Sequence, residues 1–102
     1  MEYRQLGKTG VKVSELCFGT MSFGGDADEA TSKEMFHACL DAGINFFDCA
    51  NVYAGGRSEE ILGKLMAGRR DDLVITSKVA MPTGDGVNDR GLSRRHIMLQ
   101  VE

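Results

Sequence analysis

The chain has 102 residues, of which 42% are hydrophobic and 26% are charged, and its formal net charge is -3. This composition is typical of a soluble globular protein of at most one domain, and the mild acidity gives no basis for binding nucleic acid or a membrane surface. The longest apolar runs are far shorter than a bilayer span, and the N-terminus lacks the apolar core of a signal peptide, so we predict a cytoplasmic protein.

The cysteines are three in number and none forms a C-x-x-C pair, which argues against a disulfide framework and against a structural zinc site. We expect Cys17, Cys39 and Cys49 to be free thiols that act as small buried apolar residues. Redox sensitivity of Cys49 is the alternative, because it adjoins a candidate functional residue.

The first predicted elements are a hairpin and a short buried strand. The β-prone runs Tyr3–Leu6 and Val11–Val13 flank a tetrapeptide bounded by glycines, which favours a hairpin. The compact apolar run Leu16–Thr20 then predicts a strand, and Ser22–Asp28 predicts a loop.

The first helix should begin at about Asp28 or Thr31 and end near Ala42. Thr31 and Glu34 have the spacing of a capping box, and Gly43 suits the left-handed residue that ends a helix. Apolar residues at helical spacing predict its buried face: Met35, Phe36, Cys39 and Leu40.

The remaining elements repeat this alternation. Ile44–Asp48 predicts a second strand, a helix should start near Ser58 and end at Gly68, and Asp72–Val79 predicts a third strand. After a loop, Ser93 is the predicted cap of a further helix.

Alternating strands and helices predict an α/β fold with a parallel sheet. The predicted strands begin near Leu16, Ile44 and Leu73, so their spacing is 28 residues (44 − 16) and then 29 residues (73 − 44). This spacing is close to the roughly 31 residues per unit of a ~250-residue eight-fold barrel. We therefore expect residues 1–102 to be the N-terminal part of a (β/α)8 TIM barrel domain, truncated to a hairpin and three βα units.

Polar side chains lie at the predicted carboxyl ends of the strands, where parallel α/β proteins place their chemistry. Asp48 ends the second strand, Tyr53 follows on the next loop and Lys78 ends the third strand. A free tyrosine, with a pKa of about 10, is a poor acid at neutral pH, and a nearby lysine cation lowers that pKa. We therefore predict that Tyr53 donates a proton and that Lys78 and Asp48 are its electrostatic partners.

The segment Phe46–Glu59, which contains Asp48 and Tyr53, resembles the signature of the aldo-keto reductase family. Thr76–Lys78 resembles the family's lysine strand, and Leu16–Met21 resembles its first barrel strand. The resemblance covers essentially the whole chain, with small departures at Cys49, where Thr is common, and at Ala54, where Gly is common.

The resemblance implies an NADPH-dependent reductase of small aldehydes or ketones. Tyr53, Asp48 and Lys78 would be catalytic, and the residues near the nicotinamide ribose would be Gly19, Thr20, Met21 and Asp48. The family's catalytic histidine ends a fourth strand, which these 102 residues do not reach. Neither His37 nor His96 matches it, so we expect both to be structural or to face solvent, and we expect no metal site.

Two other functions remain open at this stage. Regulatory channel subunits share the family's fold and would bind NADPH without much turnover. A half-barrel could instead work by assembling with copies of itself or with a complementary chain. The oligomeric state is left open, no nucleic-acid or membrane partner is expected, and the isolated 102-residue chain is expected to be inactive and marginally folded.

Overall fold

The computed structural model describes residues 1–102 and contains five strands and three α-helices. The strands are β1 (Tyr3–Gln5), β2 (Lys12–Ser14), β3 (Phe18–Gly19), β4 (Phe46–Asp48) and β5 (Val74–Thr76). The helices are α1 (Glu29–Asp41), α2 (Arg57–Leu65) and α3 (Arg94–Val101), and short 3-10 turns cover Tyr53–Gly56 and Arg70–Asp72.

The strands form two separate sheets. β1 and β2 pair antiparallel as the predicted hairpin, with Arg4 opposite Val13. β3, β4 and β5 form a parallel sheet in that order, which confirms the predicted alternation of parallel strands and helices. In its register Gly19 lies opposite Asp48, and Asp48 lies opposite Thr76.

The hydrophobic core lies between this sheet and helices α1 and α2. Phe36 of α1, Phe47 of β4 and Ile61 of α2 are completely buried there, and the rings of Phe36 and Phe47 lie 5.1 Å apart. Because side chains alternate along a strand, Phe47 on the core side places Phe46 and Asp48 on the other face of the sheet. That inner face therefore carries the polar residues at the strand ends.

The start of α1 differs from one of the two predicted positions. The N-cap is Asp28, whose Oδ1 accepts from the Thr31 N–H at 2.8 Å, and Thr31 lies inside the first turn. The capping box at Thr31 is therefore wrong, because the carboxylate three residues earlier already satisfies that amide. Gly43 does adopt the left-handed conformation just after the helix, with φ +86°.

No helix is both long enough and apolar enough to cross a membrane. The His, Cys, Asp and Glu side chains also nowhere gather in groups of three or more that could hold a metal ion.

Candidate active site

Asp48, Tyr53 and Lys78 meet at the carboxyl end of the parallel sheet. Asp48 is the last residue of β4, Lys78 lies two residues beyond β5 on the same face as Thr76, and Tyr53 begins the 3-10 turn after β4. Residues far apart in the chain are thus neighbours because two adjacent parallel strands end at the same edge.

The Lys78 ammonium uses its three hydrogens on three acceptors. Its Nζ lies 2.5 Å from Asp48 Oδ2, 2.8 Å from the Cys49 carbonyl oxygen and 3.2 Å from the Tyr53 hydroxyl oxygen. The same nitrogen lies 5.1 Å from the centroid of the Tyr53 ring. A full set of acceptors fixes the position of the ammonium against both the carboxylate and the phenol.

The Asp48 carboxylate is held through both of its oxygens. Oδ2 accepts from Lys78, and Oδ1 accepts from the Thr76 hydroxyl at 2.6 Å. These two hydrogen bonds, first from Lys78 and then from Thr76, hold the pKa of Asp48 below its usual value. The hydrogen bond to Asp48 in turn raises the pKa of Lys78, against partial desolvation of the ammonium.

The Tyr53 hydroxyl accepts a hydrogen bond from Lys78, and its own hydrogen has no acceptor in the structure. A phenol in this arrangement can donate its hydrogen to an incoming oxygen. The negative charge left on the phenol oxygen would then lie 3.2 Å from an ammonium. The side chains of Lys78 and Asp48 are 50% and 35% exposed, so a small molecule can approach the cluster.

The residues predicted to lie near a cofactor differ in how exposed they are. Gly19 pairs with Asp48, and a Cβ at Gly19 would meet nothing within 4 Å, so a ligand can lie flat on its backbone. Met21, two residues further along the chain, is 68% exposed. Thr20, however, is fully buried and its hydroxyl donates to the Asp48 carbonyl oxygen at 3.1 Å, so its side chain faces the interior.

A buried hydroxyl connects the strand ends behind the site, and its residue was predicted only as the start of a helix. Ser58 of α2 is fully buried, and its Oγ donates to the Thr20 carbonyl oxygen at 2.6 Å. The same Oγ lies 3.3 Å from the Cys49 sulfur. Thr76 was also missed as a partner of Asp48, although its alternation with Lys78 along the strand places it on the same face.

Cys39 and Cys49 are buried as predicted, but Cys17 is exposed near the site, so the prediction that it is buried is wrong. Burial raises the pKa of the Cys17 thiol, the Asp48 carboxylate adds to this and the Lys78 ammonium opposes it. The raised pKa lowers the thiolate fraction of Cys17, so only its exposure makes it easier to reach than Cys49. The largest cavity, of about 530 Å³, lies away from all of these residues, at the amino ends of β4 and β5 beside Tyr3 and Arg69.

Comparison with known proteins places this geometry in a family. The model of the aldo/keto reductase family matches residues 15–102. This chain is 47% identical to a probable voltage-gated potassium channel subunit beta from Oryza sativa subsp. japonica. The match covers 96% of this chain and 31% of that protein. It is also 47% identical to the uncharacterized oxidoreductase YrpG from Bacillus subtilis (strain 168). That match covers 95% of this chain and 34% of YrpG.

A solved structure agrees with these matches. The holo form of aldo-keto reductase AKR11C1 from Bacillus halodurans superimposes with a TM-score of 0.86 at 36% identity, over 99% of this chain and 34% of that one. This chain spans about a third of the length of the relatives it matches. The fold predicted from the sequence is thereby confirmed as the hairpin and first three βα units of a (β/α)8 barrel, and the chain belongs to the aldo-keto reductase family.

Proposed function

We propose that this chain supplies the proton donor and its electrostatic partners to an NADPH-dependent reductase of small aldehydes or ketones. The observation that carries the proposal is the position of the Lys78 ammonium, within hydrogen-bond distance of both the Tyr53 hydroxyl and the Asp48 carboxylate. Tyr53 donates its proton to the carbonyl oxygen of the substrate, and Lys78 stabilises the phenolate that remains.

Asp48 has two roles in this scheme. Its carboxylate orients the Lys78 ammonium, and it compensates the lysine charge when the phenol is neutral. Thr76 holds the other carboxylate oxygen at 2.6 Å, so the carboxylate does not rotate away from the lysine.

The open surface at Gly19 fits a cofactor placed beside Asp48, because nothing lies within 4 Å of where a Cβ would be. Gly19 and Met21 would hold the ribose end of a nicotinamide cofactor there, next to Asp48, whereas the fully buried Thr20 would support the end of β3 from behind. When bound, NADPH would supply the hydride that reduces the carbonyl carbon. The substrate class and the preference for NADPH are parts of this proposal.

The test uses the complete product of the open reading frame that contains this sequence, a panel of small aldehydes and ketones, and NADPH oxidation as the readout. Replacing Tyr53 with Phe should lower kcat by about 10²- to 10⁴-fold, the usual contribution of a positioned general acid, and leave cofactor binding intact. Tyr3→Phe is the matched control, because the Tyr3 hydroxyl donates to the Gly43 carbonyl oxygen in the hairpin region, away from the site. Native turnover in Tyr53→Phe would refute the assignment.

A regulatory subunit that binds NADPH without rapid turnover is the second candidate. It is favoured by the 47% identity to the probable potassium channel subunit beta from Oryza sativa. Tight cofactor binding, a tetramer in sedimentation and little turnover of any carbonyl would support it. Measurable kcat that depends on Tyr53 would support the reductase instead.

A further inference from the structure

His96 is a buried titratable residue outside the cluster of Asp48, Tyr53 and Lys78. It is 1% exposed, and its Nε2 lies 2.7 Å from the carbonyl oxygen of Val79, the residue that follows Lys78. Because a carbonyl oxygen only accepts hydrogen bonds, Nε2 carries the hydrogen and donates it. The imidazole therefore bonds the main chain next to the lysine.

The segment that carries Lys78 lies beyond the regular ladder, since β5 ends at Thr76. Its main chain is nevertheless fixed from two sides. The Asn51 N–H donates to the Lys78 carbonyl oxygen at 3.1 Å, and His96 donates to the next carbonyl oxygen along the chain. Consecutive carbonyls are thus bonded by the loop after β4 and by helix α3.

The direction of the imidazole is set by the start of α3. The Ser93 Oγ accepts from the His96 N–H at 3.0 Å as the helix cap, which fixes the main chain of His96 in the first turn. The loop between Val79 and this cap is closed at its base, where the Gly91 N–H donates to the Ala80 carbonyl oxygen at 2.9 Å. Both ends of the hydrogen bond between His96 and Val79 are therefore held by neighbouring bonds.

We propose that His96 is a positioning residue for Lys78. Its buried imidazole holds the main chain next to Lys78 in place, so that the lysine ammonium stays within hydrogen-bond distance of the Tyr53 hydroxyl. The expected effect on catalysis rests on the function proposed above, whereas the expected effect on the position of the lysine side chain does not. Loss of the imidazole donor frees the Val79 carbonyl and lets the lysine segment move away from the 3.2 Å contact with the phenol.

The experiment compares four variants of the complete reading-frame product. His96→Leu removes the donor, His96→Asn keeps an amide that is too short to reach, and His96→Gln keeps a donor nitrogen at a reach similar to Nε2. His37→Leu is the matched control, because His37 is exposed on α1. Two readouts are kcat and KM for carbonyl reduction, and the rate of acylation of Lys78 by trace acetic anhydride, measured by mass spectrometry against Lys33, an exposed lysine of α1.

We expect Leu and Asn at position 96 to lower kcat by about five- to tenfold, as loss of one buried hydrogen bond does, with little change in KM. Acylation of Lys78 should become faster in the same two variants, while His96→Gln and His37→Leu stay close to the native rate. Should His96→Leu fail to fold, the comparison of Asn with Gln carries the same information. Unchanged acylation of Lys78 in the Asn variant, or equal kcat in Gln and Asn, would overturn the proposal.

The acylation readout separates this proposal from the proposed function. A native protein that reduces no carbonyl would refute the function, and the labelling of Lys78 would still decide the role of His96. A native protein that is active, with Lys78 labelled equally in all variants, would refute the role of His96 alone.

Discussion

The ion pair of Asp48 and Lys78 keeps both groups charged across the neutral range. The pKa of Asp48 is lowered, so its stabilising effect is present above the ordinary carboxyl pKa of about 3.9 and is lost as pH falls through the lowered value. The pKa of Lys78 is raised, so its effect is present below the ordinary ammonium pKa of about 10.4 and is lost as pH rises through the raised value. The pair therefore does not titrate between these limits.

This ion pair can be tested without any assay of activity. A carbon-detected NMR titration of Asp48 should give a pKa below that of an ordinary aspartate, and Lys78→Met should raise it because the lysine is the largest cause of the shift. Thr76→Val should raise the same pKa by a smaller amount, since the threonine hydrogen bond ranks second. A larger rise in Thr76→Val than in Lys78→Met would contradict this reading of the site.

Ala54, the residue after the candidate proton donor, has the left-handed conformation with φ +51°, which a residue with a Cβ adopts only at a cost. We expect Ala54→Gly to raise the free energy of unfolding by about 1 kcal/mol, because relief of this strain outweighs the added freedom of the unfolded chain. Ala38→Gly, at an exposed position within α1, should lower it by about 1 kcal/mol. Urea unfolding of both variants measures the difference, and a loss of stability in Ala54→Gly would show that position 54 carries no strain.

The sequence predicted the three interacting side chains because they follow a rule of position. The last residues of neighbouring parallel strands share an edge, so Asp48 and Lys78 could be paired before their distance was known. Ser58 and His96 could not be found in this way, because their partners are main-chain oxygens of Thr20 and Val79. Such bonds depend on how the helices are oriented against the sheet, which no spacing in the sequence encodes.

The N-cap of α1 should make the stability of this helix depend on pH. The hydrogen bond from the Thr31 N–H lowers the pKa of Asp28, so the cap stabilises the helix above the ordinary carboxyl pKa and weakens as pH falls through the lowered value. Asp28→Ser keeps a capping oxygen without a charge. The stability of this variant should therefore fall less than that of the native protein on acidification. Asp26→Ser, which removes an exposed carboxylate that is not part of the cap, is the matched control.

Thermal unfolding at a series of pH values measures this difference. Parallel curves for the native protein and Asp28→Ser would mean that the carboxylate contributes nothing as a cap. The capping box predicted at Thr31 would instead place the titrating carboxylate on Glu34, so Asp28→Ser would leave the pH dependence unchanged.

Helices and their ends were easier to predict than strand lengths and turns. Gly43 has the left-handed conformation expected just after α1, and Gly68, the predicted end of α2, lies three residues after its last residue, Leu65. The third strand is Val74–Thr76 and not the full run from Asp72 to Val79. Strand ends are set by partners in the sheet, and β5 has a partner on one side only. The 3-10 turn that carries Tyr53 was predicted as loop, because the pair Gly55-Gly56 is a loop signal; both glycines are left-handed there, and so is Ala54.

The inner face of the sheet determines how stable the 102-residue chain is by itself. Only 16 of 102 residues are buried, and the core lies on the helix side, so the inner face has no covering layer. Cys17 and Gly19 are exposed on that face, and β3 and β5 each have one unpaired edge. In a closed barrel both features disappear, because further strands pair with the edges and fill the interior.

We expect the isolated 102-residue chain to be marginally stable and to reduce no carbonyl, because the edges and the inner face stay open to water. A chimera that joins residues 1–102 to the part of the Bacillus halodurans reductase following its matched third should unfold cooperatively and oxidise NADPH with a carbonyl substrate. The TM-score of 0.86 indicates that the two backbones are close enough for the join.

Tyr53→Phe in the chimera is the control, and it should lower kcat by about 10²- to 10⁴-fold without changing the unfolding midpoint. Loss of turnover there would show that the side chains supplied by this chain, and not the fused portion, donate the proton. NADPH-dependent reduction by the 102-residue chain alone would contradict the prediction, since three strands would then suffice to bind the cofactor and exclude water. A chimera that folds cooperatively and binds NADPH but stays inactive would favour the regulatory subunit, because the same cluster would then hold a cofactor without using it.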